Sequence, residues 1–485
     1  MADLDHAVSG AAGRALAITQ IGTMDEGGGA AAVASGLMRG YAARGHRVWH
    51  VVGRQRTDDP AVVTLPDEDR PWYRASGYVA VQAVLRGLAA RHPDRGFGLL
   101  SRSLRLATHP QVVRDTWSGI EDFAFPASAR VLDRLDAVPD VVHAHNLHGG
   151  YFDLRALAPI SAQVPTVITL HDMWLMTGHC AHALGCGRWE TGCGRCPDLG
   201  LDPAVRRDAT DQNWRRKQAV FASSRLHVAT PSRWLRDRVE RSMLAPLVGG
   251  VRVIPNGVDT AIFRPADRPQ ARAALGLPAA TTIILLTTGS RGSMWKDDHT
   301  LHRVIDRLAE QRGAGSLLFV AVGRESAARA SGRAVIRSVP FVHDPGVMAQ
   351  YYQAADLYLH AARADTFPLA VLEALACGTP VVATATGGIP EQIRPAALDA
   401  VRSGLFGAIG DATGMLVPPA GAAEMSDAAA ALLDRDAVRG RLGDNAARDA
   451  ASRFTLDRQV DAYLEWYREL VGERAGMERA AAGHH

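Results

Sequence analysis

The chain has 485 residues, 47% apolar and 22% charged, with a net charge of +3 at neutral pH. It is too long for one ordinary core, so two or three globular domains are expected. It is also too apolar for a disordered chain and too nearly neutral to argue for nucleic acid as a partner. No apolar run approaches the ~20 residues a membrane helix needs, and no charged-then-apolar leader opens the chain. The expectation is a cytoplasmic protein with at most peripheral membrane contact. Only Lys217 and Lys296 are lysines among the 54 basic residues, which makes a lysine kept at position 296 worth following.

The first element is an apolar run of strand length, Ala15 to Ile21, followed by TMDEGGGAA, a helical stretch to about Arg44 and a second strand from His46 to Val52. This is a βαβ opening, with Gly28 and Gly29 at the turn into the helix. From Asp58 to Asp136 the pattern is least informative; the apolar and basic segment Leu99 to Leu106 reads as a solvated amphipathic face rather than a membrane-surface or acceptor-facing one. Order returns at PDVVHAHNLHGGYFDL, where a buried-type strand, Asp140 to Ala144, delivers His145, Asn146 and His148 beyond its carboxyl end. The next strand, Pro165 to Leu170, does the same for His171 and Asp172. Open α/β sheets place ligands at such strand ends.

Cys180, Cys186, Cys193 and Cys196 are four of the five cysteines and fall within GHCAHALGCGRWETGCGRC. Four thiolates this close can close a tetrahedral site around a structural zinc, with glycines letting the backbone turn. In a cytoplasmic chain a metal is favoured over paired disulfides or free thiols, and His179 and His182 are alternative ligands. A helix from Asp211 to Phe221 follows, and Leu226 to Thr230 reads as the last strand of the first domain. VRVIPNGVDTAIFRP, residues 251 to 265, is a strand and a punctuated loop, read as the crossing between domains.

The second domain opens at the strand Thr282 to Thr288, which runs into TGSRGSMWKDD. Gly289 lies in this loop, and Arg291 and Lys296 are two cations suited to a leaving group whose negative charge grows in the transition state. Another strand, Ser316 to Val322, ends at Gly323 and Arg324. The stretch RADTFPLAVLEALACGTPVVATATGGIPE, residues 363 to 391, organises the rest. It reads as loop, helix, strand and glycine-led helix start, with Phe367, Pro368 and Leu369 opening the first helix. The N–H groups of Gly387 and Gly388 can approach an anion without Cβ obstruction, and Asp365 and Glu373 supply carboxylates at the same end of the sheet. Backbone dipoles for phosphates and carboxylates for sugar hydroxyls make a nucleotide-sugar site.

That stretch resembles the donor region of family-4 retaining glycosyltransferases, which carry Glu, seven residues, Glu and a GG-x-PE turn; Asp365 stands here for the first Glu. TLHDMW around His171, PS-x-W-L at 231 to 235 and the linker Asn256, Gly257, Asp259 are similar to the same family. The family's arginine and lysine are six apart, whereas Arg291 and Lys296 are five apart. A TGHC…C…TGC-x-x-CP insert resembles that of a sub-branch of bacterial exopolysaccharide and natural-product transferases.

The resemblance implies a GT-B fold, two Rossmann-like domains with parallel sheets facing a central cleft. The domains would be 1–248 for the acceptor and 249–453 for the nucleoside-diphosphate sugar, with a terminal helix at 454–472 crossing back. It further implies that His171 and Asp365 contact the transferred sugar and Glu373 the ribose, while Arg291, Lys296 and the Gly387-Gly388 turn stabilise the leaving diphosphate. The base would rest at Gly323 and Arg324, with Gly28 and Gly29 beside the diphosphate and His145, Asn146, His148 and Asp172 on the acceptor side. The expected activity is retaining transfer to a glycan or small-molecule acceptor, without a catalytic divalent metal. An epimerase or phosphorylase of the same architecture, or a non-catalytic zinc-knuckle interaction protein, are the alternatives.

Overall fold

The computed structural model describes residues 14–65, 110–287, 294–313, 316–323, 329–331 and 334–482. Gly289, Arg291, Arg324 and the Leu99 to Leu106 segment lie outside them. Two seven-stranded sheets form the frame. The first contains β1 (Ala17–Met24), β2 (Arg47–Arg54), β3 (Val62–Thr64), β4 (Val141–Ala144), β5 (Thr166–Thr169), β6 (Leu226–Thr230) and β7 (Val248–Val253), in the order β3-β2-β1-β4-β5-β6-β7. All its pairings are parallel. The second contains β8 (Thr282–Thr287), β9 (Leu317–Val322), β10 (Arg329–Ser331), β11 (Ala334–Val339), β12 (Leu357–His360), β13 (Val381–Thr384) and β14 (Gly414–Val417). Its order is β10-β11-β9-β8-β12-β13-β14, parallel except for the β10–β11 hairpin at one edge.

The central strands are buried on both faces, which is why they read as apolar runs rather than alternations. LLFVAV of β9 is buried throughout. The strand order reverses between β1 and β4 in the first sheet and between β8 and β12 in the second. The crevices outside those carboxyl ends are the expected ligand sites. They hold Gly28 and His145 in one domain and the loop to Asp365 in the other.

Two sequence expectations are corrected. Leu226–Thr230 is not the last strand of the first sheet, because β7 pairs alongside it. The strand read as part of the crossing therefore belongs to the first domain, and a boundary at residue 248 falls at its first residue. The terminal helix runs Leu456–Ala482, longer than expected. It packs Val460, Tyr463, Leu464, Trp466, Tyr467 and Leu470 against Leu16, Ile18, Leu37 and Tyr41 of the first domain. Gly40 permits this approach, since a Cβ there would lie 2.4 Å from Val460 Cγ2. The buried tyrosines are satisfied: Tyr467 bonds His143 Nδ1 at 2.6 Å and the Tyr41 hydroxyl at 3.1 Å, and Tyr463 bonds Thr169 at 2.6 Å. This helix ties the end of the second domain to the back of the first.

Candidate functional site

The lysine loop is fixed to the end of β12 by its backbone. Lys296 forms an antiparallel bridge to Ala362, and the Arg363 N–H donates to the Trp295 carbonyl at 2.8 Å. Asp297 then caps the helix Asp298–Arg312 through Thr300 N–H. This places the Lys296 ammonium 3.0 Å from Asp365 Oδ2 and 3.3 Å from His360 Nε2. Since His360 accepts there, its Nδ1–H donates to the Tyr358 hydroxyl at 2.9 Å, which meets Thr287 on β8. Burial opposes ionisation of Asp365, but the charge of Lys296 and contact with His360 outweigh it and hold the carboxyl far below its ordinary range. Burial drives His360 the other way, down to about 4. The cluster is thus an ammonium and a carboxylate over a neutral imidazole.

Glu373 sits on the helix Leu369–Ala376, for which Pro368 is the N-cap. Its Oε2 accepts from the Tyr352 hydroxyl at 2.9 Å. Burial raises its carboxyl to about 7, against the pull of that hydrogen bond. Phe367 is buried, and its carbonyl accepts from the Asn256 side chain at 3.0 Å.

The glycine turn differs from the expectation in one respect. Gly388 N–H donates to the Asp365 carbonyl at 3.2 Å and is not free for an anion. Gly387 has φ +59°, and a Cβ on it would lie 1.7 Å from that same carbonyl oxygen. The pair is glycine because two chain segments touch, and the contact positions Asp365. The short helix Ile389–Gln392 then directs Glu391 across the cleft. Its two oxygens accept from Arg233 N–H at 2.9 Å and Trp234 N–H at 2.8 Å, at the start of the helix Arg233–Glu240. An anionic acceptor at a helix N-terminus satisfies orphan donors and favours the helix dipole.

On the first domain, His145 Nε2 meets Gln20 Oε1 at 2.8 Å and its Nδ1 meets His171 Nε2 at 2.9 Å. With Gln20 accepting, His171 donates from Nε2 and keeps Nδ1 as an acceptor suited to a hydroxyl. Burial lowers His171 to about 4, so it is neutral at physiological pH. His148 and Asp172 bond each other at 2.7 Å. Burial opposes charge on both, yet their mutual attraction raises the histidine and lowers the aspartate. The Asn146 carbonyl accepts from Thr23 and Tyr151. Gly28 and Gly29 begin the helix Gly29–Ala43, where an added Cβ would meet nothing within 4 Å. Gly323 ends β9 with φ +101°. The two halves meet where the Thr366 hydroxyl donates to the His171 carbonyl at 2.8 Å, next to the Lys296–Asp365 pair.

Within the insert, Cys180 is buried in the first-domain core and Cys186, Cys193 and Cys196 are partly exposed. None forms a disulfide. Among the described residues, no group of three or more His, Cys, Asp or Glu is arranged to hold a metal. His179 donates from Nδ1 to the Pro203 carbonyl at 2.9 Å and turns Nε2 toward Cys196 Sγ at 3.4 Å. His182, expected as an alternative ligand, instead meets the Trp295 ring edge-to-face and borders the cleft.

Sequence reasoning also missed Lys217. It is fully buried, paired with Glu121 at 2.9 Å and donating to the Trp174 and Thr177 carbonyls, so it braces the loop after His171. The scarcity of lysine was the available signal.

The sequence matches two family descriptions in chain order, Glycosyltransferase Family 4 over residues 27–262 and Glycosyl transferases group 1 over 282–435. In structure, the sucrose-phosphate synthase of Thermosynechococcus elongatus superposes with TM-score 0.56 at 18% identity, over 94% of this chain and 99% of that one. The Anabaena HepE protein in complex with UDP-glucose gives 0.55 at 17% identity, over 93% and 99%. The fold is GT-B. In sequence, this GT-B chain is similar to family-4 glycosyltransferases over its first domain and to group-1 glycosyl transferases over its second. It is 35% identical to a D-inositol 3-phosphate glycosyltransferase of Kineococcus radiotolerans, over 55% of this chain and 61% of that protein. The corresponding Mycobacterium tuberculosis protein (strain F11) is 33% identical over 46% and 44%. The chain thus spans at most about three fifths of the length of these two curated relatives.

Proposed function

We propose that this protein is a retaining glycosyltransferase that moves a sugar from a nucleoside-diphosphate sugar to an acceptor hydroxyl in bacterial glycan or natural-product biosynthesis. The observation that carries the reading is the meeting of the Lys296–Asp365–His360 cluster with His171 across one cleft, bridged by Thr366. HepE, of the same fold, was solved with UDP-glucose, which supports a nucleotide-sugar donor.

In this reading Glu373 accepts from the ribose, while Asp365 and His171 orient the transferred sugar. The acceptor oxygen attacks the anomeric carbon on the face the diphosphate leaves. The C–O bond to phosphate breaks as the new one forms, and the acceptor proton passes to a departing phosphate oxygen. No protein nucleophile is needed, so configuration is retained. Lys296 turns from its carboxylate partner to neutralise the growing negative charge, an electrostatic stabilisation of the transition state.

The four cysteines are further proposed to hold a structural zinc that stiffens the insert. Their residue types suit a tetrahedral site, and His179, with Nδ1 committed to the Pro203 carbonyl and Nε2 turned toward Cys196, is the alternative to one of the cysteines as fourth ligand. The zinc would supply no chemistry to the reaction. Metal analysis of the purified protein, with one zinc expected per chain, tests this.

A thermal-shift panel of UDP-, GDP-, ADP- and dTDP-sugars, with and without EDTA, tests the main reading. One nucleotide should raise the melting temperature by mass action, and Lys296→Ala should reduce kcat by a factor on the order of 10²–10³. If no nucleotide sugar shifts the folded protein, the reading fails.

A further inference from the structure

Next to Ala364, the residue before Asp365, the cleft opens into a cavity of about 290 Å³. Four separate parts of the chain wall it, one of them the loop after His171 through Met173. The cysteine insert contributes His182, the helix Arg233–Glu240 contributes Trp234 and Arg238, and the second domain contributes Arg363, Thr386 and Gly387. None of its described lining residues is acidic, and Lys296 and Glu373 are not among them.

Its polar groups lack what they would ordinarily hold. Arg238 lies over the Trp234 ring at 3.6 Å and donates to the Trp234 carbonyl at 3.0 Å, which fixes the side chain without neutralising it. Arg363 is anchored through its backbone at the end of β12, and its exposed guanidinium makes no ion pair among the described residues. His182 is 7% exposed, and its Nδ1 is buried with no hydrogen-bond partner.

We infer that this cavity is the acceptor subsite and that the acceptor carries an anionic group, a phosphate or a carboxylate, held between Arg238 and Arg363. The inference rests on the transferase reading above and adds the acceptor's chemical class. Guanidinium groups match both anions through paired N–H donors. They come from different domains, so an anion between them would also favour closure. The cavity adjoins Met173, two residues beyond His171, and so lies where an acceptor would face the transferred sugar. The insert then has a function as a wall of the acceptor site.

The test is calorimetric binding of four probes to the full chain, with and without saturating UDP: inorganic phosphate, glucose 6-phosphate, glucuronate and glucose. At least one anionic probe should bind, glucose should bind more weakly, and binding should persist with UDP present. Arg238→Gln and Arg363→Gln should each weaken the anionic probe about tenfold or more, the loss expected for a hydrogen bond to a charged group. UDP affinity should be unchanged in both. The preferred probe separates phosphate from carboxylate. Binding of no anionic probe, equal binding of glucose, displacement by UDP, or indifference to both substitutions would overturn the proposal. Anionic-probe binding in a protein that fails to bind any nucleotide would instead overturn the transferase reading and leave the anion site standing.

Discussion

Replacing Glu373 by glutamine should strengthen the fold and weaken the site at once. Burial raises the Glu373 carboxyl from 4.5 to about 7, while Tyr352 donates a 2.9 Å hydrogen bond to it. A carboxyl with a raised folded-state pKa binds its proton more tightly when folded. The stability this lends is complete below the unfolded value of 4.5 and is lost as pH rises through about 7. A shift of roughly 2.5 units at 1.36 kcal/mol each is about 3 kcal/mol. Glutamine keeps an acceptor for Tyr352 and cannot ionise, so Glu373→Gln should escape that loss. Urea unfolding of both proteins between pH 4.5 and pH 8, followed by fluorescence, isolates the effect, because all other titrations are common to the two. The stability difference should move by about 3 kcal/mol in favour of the variant as pH rises, most steeply between 4.5 and about 7. A difference independent of pH would refute the argument that burial governs this carboxyl. The same variant should bind UDP about tenfold or more weakly if the ribose needs a charged acceptor.

Two other substitutions follow from contacts. Gly387→Ala places a Cβ against the Asp365 carbonyl in a left-handed backbone. It should cost about 2–4 kcal/mol in unfolding experiments and abolish nucleotide-sugar binding by shifting Asp365. Lys217→Met strands the Glu121 carboxylate and should cost roughly 3–5 kcal/mol, seen as a lowered melting temperature, with most of it recovered in the double variant carrying Glu121→Gln.

Much of the architecture was legible because local pattern carries it. β6 was read at its observed ends, and the strands before His145 and His171 were displaced by only a residue at either end, since strands buried on both faces are continuous apolar runs. β7 was assigned to the wrong side because its partner is found only by pairing across space. His171, Lys296 and Asp365 were singled out from strand ends and spacing, and the fold brings the three into one cleft. His360 and Tyr352 were invisible as site residues because each belongs to an otherwise apolar element and acts through a partner elsewhere in the chain.

The sequence by itself determined two parallel α/β domains and the strand ends at which the candidate site lies. Each of these follows from periodicity, turn chemistry and residue type over short spans. Only the tertiary structure decided what each polar group bonds. It committed Gly388 N–H to Asp365, turned Glu391 onto a helix of the other domain, buried Lys217 beneath the His171 loop, and opened a cavity between Arg238 and Arg363. Hydrogen bonds and ion pairs depend on distances of a few ångströms between residues up to 426 positions apart, and such distances are set by packing rather than by local pattern.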